Sequence, residues 1–495
     1  MKTGTEIIFQ VRRNFLRTGG VTILTCFLNA TLNLVLLGWF AREGGVALVG
    51  TWSLLNAILM YVLVLDFGLT NALTRVIAIK GAVEAAPLVR WLLTRLAGLI
   101  CLGVSAHFLI CLTSGAYSEI VIAWGLAGLA ACFQLASNWL ICFRLGRYQQ
   151  YYFNLKSIVR VAVQTSLIFT FYAPIDLPAP VLFGAALAFA GFCELLFAGF
   201  IVRGPDLKSV TAATSANFSD IRQLSRGFGM ADAINRVRQP VLQILIASIA
   251  GNAALGVFTI ALRVPTVLSQ SVSEAMRVLF PGLSNLQKSS DRPIVTIMLR
   301  NGFLVQLLIV VPACIFLLIA AEDILGLWLG QTTQTQISAT RLITIGIMIN
   351  SLSVPFFWAL NAFGYANRIA WAGLAGLLIS GVFGTSALLL LPNPIPTFCA
   401  IYAFSQILTA ALIAWWAESR AGLLFASLSQ IRWANILLFW TAFIVFSLGL
   451  FAGLTDHSAE FRLGSVSLIV AAASAVVLGS LYRNGGFQHP NPMEP

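Results

Sequence analysis

Residues 21–40, VTILTCFLNATLNLVLLGWF, run for twenty positions without a charge. Runs of this length recur to the end of the 495-residue chain. A stretch of about 20 apolar residues is long enough to cross a bilayer as a helix. Only 10% of the residues are charged and 59% are hydrophobic, against about 25% charged in a soluble domain. Such a chain cannot cover its surface with polar groups, so its solvent is lipid. In hydrocarbon every backbone N–H and C=O must be paired within the protein. The runs lack the alternation of a barrel strand, so they are read as helices. The expected class is an all-α polytopic membrane protein.

Fourteen candidate spans follow, at about residues 16–40, 46–67, 91–113, 119–143, 152–173, 179–202, 227–250, 253–280, 297–320, 338–363, 367–391, 395–416, 433–453 and 464–482. The first is too long for a cleaved leader, whose apolar region is about 7–15 residues. The loops test the count. One side collects Arg12, Arg13, Arg17, Arg75, Lys80, Arg90, Arg144, Arg147, Lys156, Arg203, Arg222, Lys288, Arg292, Arg368, Arg420 and Arg483. The other offers only Arg42 and Arg462 beside Glu43, Asp176, Glu322, Asp323, Asp456 and Glu460. Lys and Arg are retained in the cytoplasm during insertion, so both termini are expected there. The net charge of +12 is then topological. It is scattered over many loops rather than gathered on one face, which argues against nucleic acid.

The chain also resembles itself. LVGTWSLLNAILM from Leu48 aligns with ALGVFTIALRVPT from Ala254, matching Gly50 to Gly256. WLICFRLGRYQQYY from Trp139 aligns with FWALNAFGYANRIA from Phe357, matching Gly146 to Gly364. Transporters are often duplicated in this way, with substrate bound between the repeats near the midplane. The expected organisation is a six-helix lobe over 1–204, an inter-lobe loop over 205–225, a second six-helix lobe over 226–417, and two further spans and a tail over 418–495.

Chemistry is sought among the charges that such helices carry at depth. Arg263 lies about eleven residues into span 8, or about 16 Å at 1.5 Å per residue. That is near the centre of the bilayer, where an arginine costs at least about 2.5–3.5 kcal/mol. It is either a binding residue or a partnered arginine joining the lobes. In span 7, MADAINRVRQP sets Asp232 and Arg236 four apart, where they can pair. Arg238 points elsewhere and needs another partner or an anionic ligand. Glu194 of span 6 is a counter-ion for these cations or a proton-coupling group. Asp66 and the Glu274–Arg277 pair stand at the inner ends of spans 2 and 8. The deep charge is mostly cationic, which selects an anion.

Other chemistry finds no support. The eight cysteines stand singly in apolar runs without a CxxC, as small buried hydrophobes do. His107, His457 and His489 are far apart. No metal site, cofactor motif or nucleophile motif is present. The short outer loops leave no room for an enzyme's catalytic domain, so the chain is not read as an enzyme.

LDFGLTNALTR (residues 65–75), GNAALGVFTIALRVPTVLSQSVSEAMRVLFPGLSNL (251–286) and NAFGYANRIAW (361–371) resemble stretches of the polysaccharide flippases of the multidrug/oligosaccharidyl-lipid/polysaccharide exporter superfamily. The resemblance implies two six-helix bundles in a V plus two C-terminal helices, working by alternating access. It implies an undecaprenyl-diphosphate-linked oligosaccharide as cargo, moved across the inner membrane for exopolysaccharide, capsule or O-antigen synthesis. Partners would be that lipid, the bilayer, and polysaccharide polymerase and chain-length machinery. Arg263, with Arg236 and Arg238, would bind the pyrophosphate. Span 1 departs from the family, having no charge from Val21 to Phe40 but only Asn29 and Asn33. A flippase for the lipid-linked peptidoglycan precursor and a cation-coupled multidrug exporter are the alternatives within the superfamily.

Overall fold

The structure is a computed structural model, and it describes residues 20–66, 68–80, 86–87, 89–98, 100, 119–147, 149, 151–172, 177–202, 215–276, 279–286, 292–429, 431 and 440. Spans 13 and 14, and most of span 3, lie outside the described residues. The described chain is helical. The helices are α1 (Gly20–Glu43), α2 (Gly45–Val62), α3 (Leu69–Lys80), α4 (Glu119–Leu145), α5 (Tyr151–Phe171) and α6 (Ala179–Val202). There follow α7 (Ser215–Met276), α8 (Leu279–Asn285), α9 (Arg292–Val305), α10 (Val311–Leu329), α11 (Gln334–Leu352) and α12 (Val354–Ala362). The last are α13 (Ala366–Leu378), α14 (Gly384–Leu390), α15 (Pro394–Ala421) and α16 (Leu424–Leu428).

Among the described residues, eight helical stretches are long and apolar enough to cross a membrane. The bent pair α11–α12, turned by 43°, makes a ninth. Two expected spans are joined in α7, which breaks only at Gly251, where φ is +85°. A side chain would be strained there, so glycine makes the turn. The arm before Gly251 is span 7 and the arm after it is span 8. Short π-helical segments at Gln306–Val310 and Ile379–Phe383 join α9 to α10 and α13 to α14.

The helices pack in two sets. In the first, α4 and α5 lie on α6, α1 on α5, and α2 on α4. In the second, α15 packs on α11, α13 and α14, and α7 packs on α11 and α13. The sets meet mainly where α2 runs along α7. On the side away from the basic loops, aromatic rings fill each set. Trp39, Phe40, Trp52, Tyr172 and Phe183 cluster in the first. Phe258, Phe398 and Tyr402 cluster in the second. On that same side Trp328 of α10 donates its indole N–H to the Leu34 carbonyl of α1 at 2.8 Å.

Candidate functional site

Arg263 stands twelve residues past the Gly251 turn, or about 18 Å along a helix. Protein surrounds it, and the side chain is half-buried. Its Nε is buried without a hydrogen-bond partner. Among the described residues it forms no ion pair. The charge that acts on it is Arg160 of α5, which has the same sign. A buried cation in the field of another cation is a poor structural device, since nothing offsets its desolvation. An anion between the two would offset it.

Arg160 and its neighbours form the other half of the site. Lys156 lies one turn before Arg160 on α5, so the two share a helix face. Glu194 of α6 is fully buried and holds both. Lys156 Nζ is bonded to Glu194 Oε1, and Arg160 Nε lies 3.2 Å from Glu194 Oε2. Lys156 also donates to Ser137 Oγ at 2.9 Å and Asn138 Oδ1 at 2.8 Å on α4. Ser137 Oγ in turn lies 3.2 Å from Glu194 Oε1. Lys156 and Arg160 thus place two cations on one carboxylate, a local excess of positive charge.

Arg236 and Arg238 have different surroundings. Arg236 reaches across to α2's end, where Nη2 lies 3.3 Å from Asp66 Oδ2. Asp66 is fully buried and further accepts from Trp139 Nε1 at 2.7 Å and Thr70 Oγ1 at 2.9 Å. The carboxylate thus ties α2, α4 and α7 together at the basic side. Arg238 turns instead into the second set, where it donates to Ser405 Oγ at 2.6 Å and Thr409 Oγ1 at 3.3 Å on α15. It lies against a cavity of about 220 Å³ that α7, α11, α12, α13 and α15 surround.

The expected residues are therefore not one cluster. Arg263 lies in the field of Arg160, Glu194 pairs with Lys156 and Arg160, Arg236 with Asp66, and Arg238 lines its own cavity. The side chains of Asp232 and Glu274, and Arg277 altogether, lie outside the described residues. Sequence reasoning missed Arg160 and placed Lys156 in a loop flank. The available signal was two cations four apart at the start of one span and a carboxylate in the next.

Residues 99–338 match the family model described as polysaccharide biosynthesis protein. That segment carries Lys156, Arg160, Glu194, Arg236, Arg238 and Arg263. Among curated protein sequences no match to the chain is found. Solved structures do match it. A MOP superfamily transporter from Pyrococcus furiosus superimposes with a TM-score of 0.65 at 13% identity, over 84% of this chain and 96% of that one. A MATE protein in complex with MaL6 gives 0.67 at 14%, over 86% and 99%. A variant of the Vibrio cholerae MATE transporter VcmN gives 0.57 at 12%, over 84% and 98%. In fold the chain is similar to the MOP superfamily transporters, with several helices long and apolar enough to cross a membrane, and over residues 99–338 it matches the family of polysaccharide biosynthesis proteins.

Proposed function

We propose that the protein is a flippase that carries undecaprenyl-diphosphate-linked oligosaccharide across the inner membrane for exopolysaccharide, capsule or O-antigen synthesis. The observation that carries this reading is Arg263, a deep cation with no carboxylate partner among the described residues, opposed by Arg160 from the other helix set. A pyrophosphate is a multiply charged anion that two guanidiniums grip in parallel. Placed between Arg160 and Arg263, it would turn a repulsion between the sets into an attraction. The lobes, 1–204 and 226–417, then rock about the bound headgroup while the prenyl tail stays in lipid. Both termini are cytoplasmic in this reading. Glu194 acts as the standing counter-ion of Lys156 and Arg160, and Arg236 with Asp66 holds the basic side shut.

The absence of any charge on α1 before Arg42 supports this over a cation-coupled drug exporter, which wants a carboxylate there. The test is reconstitution. Purified protein in proteoliposomes should move a short-chain polyprenyl-diphosphate oligosaccharide to the outer leaflet, read by accessibility to an added glycosidase. No acceleration over protein-free vesicles would defeat the proposal.

A further inference from the structure

Arg238 is 7% exposed, and every group that holds it is neutral. Besides Ser405 and Thr409 it reaches Gln406 Oε1 at 3.5 Å and lies over the Tyr402 ring at 5.6 Å. Its Nε has no partner. The hydroxyls are fixed as acceptors. Ser405 gives its proton to the Tyr402 carbonyl at 2.6 Å, and Thr409 gives its own to the Ser405 carbonyl at 2.7 Å. This arrangement orients a guanidinium without neutralising it. Gly376 completes the space, since a Cβ there would lie 3.0 Å from Arg238 Cζ.

The adjoining cavity has the size and walls of a small organic site. Its volume of about 220 Å³ equals roughly seven waters at about 30 Å³ each, below the about 300–1,000 Å³ of a drug-sized pocket. Ser273, Asn350 and Ser353 offer hydroxyls and an amide, and Phe357 and Trp358 offer ring faces. A bare inorganic anion has no use for aromatic walls. An organic cation is repelled by Arg238. A single sugar ring uses all of it, with hydroxyls on the polar wall, C–H faces on the rings and an acidic substituent on the guanidinium.

We propose that this cavity is a subsite for one acidic sugar of the cargo, a monosaccharide unit bearing a carboxylate. The inference rests on the flippase reading and deepens it by naming a substrate class, and its site is distinct from the Arg160–Arg263 pair. The full chain is placed in phosphatidylcholine nanodiscs, and thermal stabilisation is titrated with glucuronate, glucose and inorganic phosphate. Glucuronate should bind about tenfold or more tightly than either, the worth of one charge-assisted contact. Arg238→Gln should erase that preference and Arg263→Gln should keep it. Trp358→Leu, which leaves the charge in place, should weaken glucuronate and not phosphate. Equal binding of glucose or of phosphate, or glucuronate binding that survives both Arg238→Gln and Trp358→Leu, overturns the proposal. If glucuronate fails to bind while the wild type still flips a lipid-linked oligosaccharide in proteoliposomes, the subsite falls and the flippase reading stands.

Discussion

Gly50 and Gly256 press into each other's helices as mirror partners. A Cβ on Gly50 would lie 2.0 Å from the Asn252 carbonyl oxygen, and a Cβ on Gly256 would lie 2.0 Å from the Val46 carbonyl oxygen. Each glycine meets the residue four places before the other. This reciprocity is what a pseudo-two-fold axis between α2 and the second arm of α7 requires. In lipid, close approach of backbones drives helix association in place of the hydrophobic effect. Gly50→Ala and Gly256→Ala should each destabilise the protein by about 1–3 kcal/mol through overpacking. Gly128→Ala, with nothing within 4 Å, should be neutral or gain up to about 1 kcal/mol from helix propensity. Thermal unfolding of the detergent-purified variants, followed by loss of the monodisperse peak, checks the order.

The same pair shows how much the sequence discloses. Matching Gly50 to Gly256 was possible because small residues at a tight crossing cannot drift without a clash. The spans were legible because each must be apolar for a bilayer's thickness. Span 5 was legible in extent, at 152–173 against Tyr151–Phe171, but Lys156 near its start was counted with the basic loops. Pairing was legible only where it is local. Helix arithmetic offered Asp232, whose side chain lies outside the described residues, to Arg236; the structure adds Asp66, 170 residues away. No periodicity within one helix reports which carboxylate another helix brings to it.

The Arg236–Asp66 bridge joins the two helix sets, and its two ends are unequal. Asp66 is fully buried, while the Arg236 side chain is 24% exposed. Asp66→Asn therefore leaves a cation that water can still reach. Arg236→Gln leaves a buried carboxylate with only Trp139 and Thr70 to hold it. Arg236→Gln should cost more than Asp66→Asn, and the double variant should cost less than the sum by about 0.5–3 kcal/mol. A double-mutant cycle on thermal or denaturant unfolding measures this coupling. Strict additivity would mean that the bridge contributes nothing to joining the sets.

Glu194 is the carboxylate that offsets Lys156 and Arg160. Glu194→Gln removes it and leaves Lys156 buried with only the neutral Ser137 and Asn138 oxygens. Breaking a buried pair from one side costs about 3–5 kcal/mol. Removing Lys156 as well should return much of that loss, so Lys156→Met with Glu194→Gln should exceed Glu194→Gln alone in membrane abundance and melting temperature. A double variant no better than the single one would show that Glu194 serves something other than charge balance.

Arg263 and Arg160 make a test in which stability and transport should separate. The two repel, so removing Arg263, which forms no ion pair among the described residues, relieves a cost, whereas Arg160 is also held by Glu194. Arg263→Ala should leave abundance intact, and Arg160→Gln should lower it somewhat, since it breaks one of the two ion pairs of buried Glu194. Arg263→Ala should abolish flipping of the polyprenyl-diphosphate oligosaccharide in proteoliposomes, because two charge-assisted contacts to phosphate, at about 1.5–3 kcal/mol each, are lost. Arg263→Lys keeps the charge but not the planar fork, and should retain a reduced rate. Arg160→Gln should slow transport less than Arg263→Ala, since Lys156 stays one turn away to supply charge. A wild-type rate in Arg263→Ala would remove that residue from the transport path and reduce it to a tolerated buried cation.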